Sequence, residues 1–350
     1  MFGEEYPRSL QLPTGGIDFT SNDYLGLSRS ADLHKIIEKA YAALPQKRNG
    51  STGSRLLSGN SRLVMDTEEK LADIFNSKAA LLFDSGYSAN LAVLSSLPKR
   101  GDSILMDERA HASLKDGARL SLATKWNFRH NDLGDLDRKL QVTTGTKWIV
   151  VESLYSMDGD LCPLADLVSL AKKYHARIIL DEAHSTGVIG AAGNGLANAL
   201  NLQDSIDVRV YTFGKAMGVH GACVALSKHD KEYMVNFARQ FIYTTAPSDH
   251  SVVSIACAFD YLAHNMHLQD ELQSKISQLK SKTQIHAVIV PGVEEVRRAA
   301  QLLQDKGFDV RPILSPTVKE GQERIRICLH TFNTREEIDS LMTRMRVLGL

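Results

Sequence analysis

The run Arg177-Ile-Ile-Leu-Asp181-Glu-Ala-His184-Ser-Thr-Gly187 ends an apolar stretch in an acid and places a histidine three residues later, in a turn closed by glycine. Ligands of open α/β sheets bind at the carboxyl ends of strands. An ionised aspartate there can hold a cationic ring nitrogen. The letters DEAH also occur in helicase boxes, but a helicase needs a phosphate loop of the form GxxxxGK[S/T]. The Gly214-Lys215 pair is followed by Ala216, and Arg209 stands where the first glycine is required, so the helicase reading fails.

A second segment, Tyr211-Thr212-Phe213-Gly214-Lys215-Ala216-Met217-Gly218, puts a lysine just past a strand end among apolar and small residues. Desolvation there disfavours the ammonium form and prepares the amine for Schiff-base chemistry. Thr212 can donate to a phosphate. Phe83-Asp84-Ser85-Gly86-Tyr87-Ser88-Ala89-Asn90 reads as strand, glycine turn and helix start, an arrangement that offers backbone N–H groups to an anion. In Asp107-Glu108-Arg109-Ala110-His111-Ala112-Ser113 the histidine lies between strand and helix. Its ring can lie on a cofactor or cap the helix. Glu152 to Asp160 follows an apolar strand and can present Ser156; its acids lack the later spacing of an EF-hand loop.

These segments must be carried by a layered α/β domain. Apolar strand runs begin at Ala79, Ser103, Lys125, Lys147, Arg177, Asp207 and Gly221 and alternate with helical patterns, which predicts a mostly parallel sheet. After about residue 240 the pattern changes to two long helices, 248–264 and 267–282. AVIV, a helix from Val293, GFDVR, RIRICLH and a last helix from Thr334 follow, as in a smaller α+β domain. The expected division is an N-terminal segment, 1–35, joining the small domain, a large domain, 36–240, and a small C-terminal domain, 241–350. A length of 350 residues permits this at ~100–200 residues per domain.

The chain carries 41 basic and 41 acidic residues. This balance opposes a broad nucleic-acid or polybasic membrane surface. No apolar run approaches the ~20 residues of a bilayer span. The opening MFGEEYPRSLQLPTGG lacks the basic flank and apolar core of a signal peptide. A cytoplasmic location is expected. Cys162, Cys223, Cys257 and Cys328 are far apart and form no CxxC pair, so they are expected as reduced core thiols without a metal.

In order and wording these segments resemble the α-oxoamine synthases, pyridoxal 5'-phosphate (PLP) enzymes of aminotransferase-like fold (fold type I). The resemblance runs from Asp18-Phe-Thr-Ser-Asn22-Asp-Tyr-Leu-Gly-Leu27 to the C-terminus. Within that family, Gly50-Ser-Thr-Gly-Ser-Arg-Leu-Leu-Ser-Gly59 looks most like the branch that condenses L-alanine with a pimeloyl thioester, on CoA or a carrier protein, in biotin synthesis. The neighbouring branches, glycine C-acetyltransferase, 5-aminolevulinate synthase and serine palmitoyltransferase, share Lys215, Asp181 and His184. A non-catalytic partner subunit would lack the lysine, which is present here.

The resemblance implies that Lys215 binds the cofactor aldehyde and then serves as base. It implies that Asp181 pairs with the ring nitrogen, that His184 and Ser156 contact the phenolic oxygen, and that His111 stacks on the ring. Gly86, Tyr87 and Thr212 hold the phosphate, with Thr244 or Thr245 of a second subunit in a homodimer. Asn22 and Arg326 lie near the substrate carboxylate and Thr317 near the acyl substrate. The chain departs from the family in a short N-terminal arm and a short small domain, where AVIVPG follows Lys282 almost at once. Arg8 and Arg55 are the candidates left within the chain for the acyl carboxylate.

Overall fold

The computed structural model describes Leu10, Leu12 and residues 15–350. The strands in chain order are β1 (Ile17–Asp18), β2 (Ala79–Phe83), β3 (Ser103–Asp107), β4 (Thr124–Phe128), β5 (Lys147–Glu152), β6 (Arg177–Asp181), β7 (Val208–Thr212), β8 (Ala222–Leu226), β9 (Ile285–Ile289), β10 (Phe308–Asp309), β11 (Arg311–Ile313) and β12 (Arg324–Cys328). A seven-stranded sheet has the order β2-β8-β7-β6-β5-β3-β4. Its strands are parallel except β8, which runs antiparallel to both β2 and β7.

Strands β2, β3 and β8 are buried at every position, as continuous apolar runs between two helical layers should be. The edge strand β4 exposes Thr124, Lys125 and Asn127 and buries Phe128, and charge on an edge strand discourages further pairing. One apolar cluster on one face of the sheet runs on into the C-terminal helices and β12. Two others, around Leu81 and around Ile149, pack on the rest of the sheet. The four cysteines are unpaired and buried.

The C-terminal part holds the antiparallel sheet β11-β12-β9. The segment GFDVR contributes to two strands. Phe308–Asp309 pairs in parallel with β1, while Arg311–Ile313 pairs with β12. Pro312 falls in β11, at the edge of its sheet, where the missing N–H is tolerated. The helix Ala112–Leu120 closes at Leu120, because Ser121 turns to an extended conformation. The helix start expected within 83–90 falls at Gly86, with Ser85 as its cap. Among the described residues no helix is long and apolar enough to cross a membrane, and no cluster of His, Cys, Asp and Glu is arranged for a metal.

Candidate active site

The parallel strands bring their carboxyl ends to one edge of the sheet. Glu152 ends β5 and Asp181 ends β6, and the two are register partners. Thr212 ends β7, and Lys215 follows in the turn before β8. A cavity of about 280 Å³ opens there, walled among others by Gly86, His111, Glu152, Asp181, His184 and Lys215.

Asp181 is buried and both its oxygens are engaged. Oδ2 accepts from Asn90 Nδ2 at 2.7 Å and Oδ1 from the Ala183 N–H at 2.9 Å. Asn90 also donates to Ser113 Oγ at 2.9 Å, while its own Oδ1 is buried without a partner. Glu152 accepts from the His111 N–H at 2.6 Å. Burial, reinforced by the neighbouring Asp181 charge, pushes the Glu152 acid up to about 8. It is therefore mostly neutral at pH 7 and adds no second charge beside Asp181.

Lys215 Nζ lies 2.8 Å from His184 Nε2, and His184 Nδ1 lies 2.8 Å from the Tyr24 hydroxyl. That hydroxyl donates to Asn22 Oδ1 at 3.0 Å. Its oxygen is thus left to accept from His184 Nδ1–H, which makes Nε2 an acceptor facing the lysine. Burial holds His184 well below its ordinary value, helped by the Lys215 and Arg326 charges, so the ring is neutral. Burial also pushes Lys215 down to about 8, against the attraction of Asp181 and Glu152. A share of free amine near neutral pH follows from this.

Arg326 on β12 donates through Nη2 to Asn22 Oδ1 and through Nε to the Ser156 carbonyl, each at 2.7 Å. The helix Gly86–Ser96 starts at the opposite wall, capped by Ser85, which accepts from Ser88 N–H. Its first N–H groups lack intrahelical partners and suit an anion. Gly86 is required there, since a Cβ would sit 2.2 Å from Thr212 Cγ2. Thr212 Oγ1 lies 3.4 Å from the Ala183 carbonyl. Tyr87 is 46% exposed and donates to Asp116 Oδ2 at 2.5 Å.

The cavity wall thus collects Asn22, Gly86, Tyr87, His111, Asp181, His184, Thr212 and Lys215 from among the residues singled out in the sequence. Of the two parts open to His111, the structure shows the helix cap. His111 caps the helix Ala112–Leu120, accepting from Ser113 N–H, and it faces the cavity. Arg326 stands behind Asn22 rather than in the wall, and Ser156 reaches the site through its carbonyl on Arg326. Thr317 lies in an exposed loop between β11 and β12. Thr244 and Thr245 are outside the wall, with Thr244 Oγ1 3.5 Å from Asp84 Oδ2, and Asp84 does line it. Arg55 is committed to Glu68 at 2.7 Å and has a side chain only 8% exposed, which leaves it unsuited to a substrate carboxylate. Arg8 lies outside the described residues. Sequence reasoning passed over Glu152, Asn90 and Tyr24 as site residues. Glu152 carried the same signal as Asp181, an acid ending an apolar strand.

The aminotransferase class I and II family matches residues 14–345. The chain belongs to that family. An 8-amino-7-oxononanoate synthase of Emericella nidulans is 37% identical over 95% of this chain and 89% of its own length. 8-Amino-7-oxononanoate synthase 2 of Bacillus subtilis strain 168 is also 37% identical, over 95% of this chain and 87% of its own. Among solved structures, the 8-amino-7-oxononanoate synthase of Francisella tularensis superposes with a TM-score of 0.82 at 27% identity, covering 95% of this chain and 98% of that one. A serine palmitoyltransferase of S. paucimobilis with PLP and myriocin bound gives a TM-score of 0.88 at 28% identity, covering 95% and 88%.

The family's cofactor is PLP, and the residues present fit it. Asp181 is a fixed acid beside an orphaned buried acceptor on Asn90, which suits a cationic N–H. The amine of Lys215 and the neutral ring of His184 face the same cavity. Gly86 leaves the helix start open where a phosphate would approach.

Proposed function

We propose that this chain catalyses the decarboxylative condensation of L-alanine with a pimeloyl thioester, pimeloyl-CoA or pimeloyl-carrier protein, as an α-oxoamine synthase of biotin synthesis. The observation that carries this reading is the Lys215 Nζ–His184 Nε2 contact of 2.8 Å in the cavity that Asp181 walls. The names of the relatives support the choice of substrates. Overall, the alanine Cα–H and Cα–carboxylate bonds break, a bond forms from Cα to the acyl carbon, and thiol and carbon dioxide leave. A proton returns to Cα, giving an α-amino ketone.

When bound, PLP supplies an electron sink for the charge that develops at Cα. The chain's residues do the rest. Asp181 would hold the ring nitrogen protonated and Lys215 would bind the aldehyde. Gly86, Tyr87 and Thr212 would hold the phosphate, and His111 would cover the ring. In this reading His184 and Ser156 would contact the phenolic oxygen. The Lys215 amine, with its proton affinity lowered to about 8, suits removal and return of the Cα proton. Arg326, which stands behind Asn22 and donates to it, supplies the positive charge for the amino-acid carboxylate. Thr317 is assigned to the acyl side.

The reading includes a cytoplasmic homodimer, in which Thr244 and Thr245 of the partner subunit complete the phosphate site. It also keeps the division into 1–35, 36–240 and 241–350; the pairing of β1 with β10 supports joining the N-terminal segment to the C-terminal part. Borohydride reduction of the PLP-loaded protein followed by peptide mapping tests the assignment. The label is expected on Lys215 and absent in Lys215→Ala, whereas a label on another lysine overturns it.

A further inference from the structure

The segment 153–162, between β5 and the helix Leu164–Lys173, ties the large sheet to the C-terminal part. It is folded on itself: Gly159 N–H donates to the Tyr155 carbonyl at 2.9 Å and Leu154 bridges Leu161. On the C-terminal side Thr283 Oγ1 donates to the Gly159 carbonyl at 2.6 Å, and Arg324 reaches Asp158 Oδ1 at 2.5 Å and the Met157 carbonyl at 3.2 Å. Gly159 lies so close to β9 that a Cβ would fall 2.1 Å from the Ile285 carbonyl oxygen. The same segment supplies the Ser156 carbonyl that Arg326 Nε donates to.

On the sheet side the hold is His130. Its Nδ1 lies 3.0 Å from Asp107 Oδ1 and its Nε2 2.7 Å from Asp160 Oδ2, and the ring packs edge-on to Tyr155. Asp107 is fully buried at the end of β3. Asn131 Nδ2 also reaches Asp160 at 2.9 Å, and Arg109 pairs with Asp158 at 2.8 Å. Without the imidazole, two carboxylates face each other with no cation between them, one of them on the segment that holds Arg326.

We propose that His130 is a positioning residue for Arg326: by tying Asp160 to Asp107 it fixes the 153–162 segment whose Ser156 carbonyl orients the guanidinium. The inference rests on the reading of Arg326 as the cation for the amino-acid carboxylate. The titratable and charged groups facing His130 are Asp107, Asp160 and Tyr155, with the Arg109–Asp158 pair beside them. Burial opposes its charged form, but the two carboxylates outweigh it and push His130 up to about 9. The tie therefore persists through neutral pH and weakens as pH rises through about 9, where the neutral ring can donate to only one of the two carboxylates.

The test uses the PLP-loaded enzyme with L-alanine and with propionate, a carboxylate that lacks the amine and its titration. His130→Gln is expected to raise the KM for L-alanine and the Ki of propionate roughly tenfold, since small displacements of a binding group have large effects. The KM for the acyl thioester stays within about twofold. Arg326→Lys alone raises the Ki, and adding His130→Gln to it raises the Ki no further, because the two changes act through one contact. Asp160→Asn breaks the same tie from the segment's own end and raises the propionate Ki likewise, a readout that stands if His130→Gln does not fold; an unchanged Ki there overturns the role as well. A Ki unchanged in His130→Gln, or additive effects of the two substitutions, overturns the positioning role. If Arg326→Lys leaves the Ki unchanged, the reading of Arg326 itself fails, and the proposal with it.

Discussion

Gly86→Ala is the most informative single change at the anion end of the cavity. The added Cβ would lie 2.2 Å from Thr212 Cγ2, while the next atom, Thr212 Cβ, is at an ordinary 3.4 Å. Carbon atoms rest at about 3.5–4.0 Å, so the overlap exceeds an ångström, and threonine is stiff at χ1. Overpacking of this kind costs about 1–3 kcal/mol. The cofactor-free protein relieves it by moving Thr212 or the helix start apart. In the proposed assignment the phosphate would take the Gly86 N–H and the Thr212 hydroxyl together, so the cost falls on the bound state. The dissociation constant for PLP, followed by absorbance, should rise roughly 5- to 150-fold. Thr212→Ser removes the clashing methyl and keeps a hydroxyl. In that background Gly86→Ala should cost less than about threefold. A PLP affinity within twofold of wild type in Gly86→Ala, or an equal penalty in both backgrounds, refutes the reasoning.

Two further outcomes follow from the acids. Asp181→Asn should retain PLP but slow exchange of the alanine α-proton in heavy water at least about a hundredfold, because the amide cannot hold the ring nitrogen protonated; wild-type exchange contradicts the assigned role. Glu152 is raised from about 4.5 to about 8 by folding, so its contribution to stability is complete below about pH 4.5 and is lost as pH rises to 8. Cofactor-free Glu152→Gln should therefore lose less Tm between pH 5 and pH 8 than wild type does, and equal losses would falsify the link.

The strands that carry the site were legible because each is a short apolar run stopped by an acid, a glycine or a hydroxyl. Lys147–Glu152 and Arg177–Asp181 are the clearest, and their ends meet in the sheet. The reversed direction of β8 was not legible, since ACVAL is a uniformly apolar run whose pattern carries no direction and gives no sign of its pairing. Nor was the β1–β10 pair, in which each strand has two residues, too few for a period to register. The roles of Tyr24 and Asn90 depend on distances between residues far apart in the chain, Tyr24 to His184 and Asn90 to Asp181. Arg55 looked available because its motif says nothing of Glu68, thirteen positions on, with which it pairs.

The most direct test of the account is turnover with L-alanine labelled at the carboxylate carbon and pimeloyl-CoA. Labelled carbon dioxide, free thiol and 8-amino-7-oxononanoate should appear in equal amounts, all lost in Lys215→Ala, with a higher kcat/KM than for glycine with acetyl-CoA. Release of thiol without labelled carbon dioxide, or a preference for glycine and acetyl-CoA, contradicts the assignment.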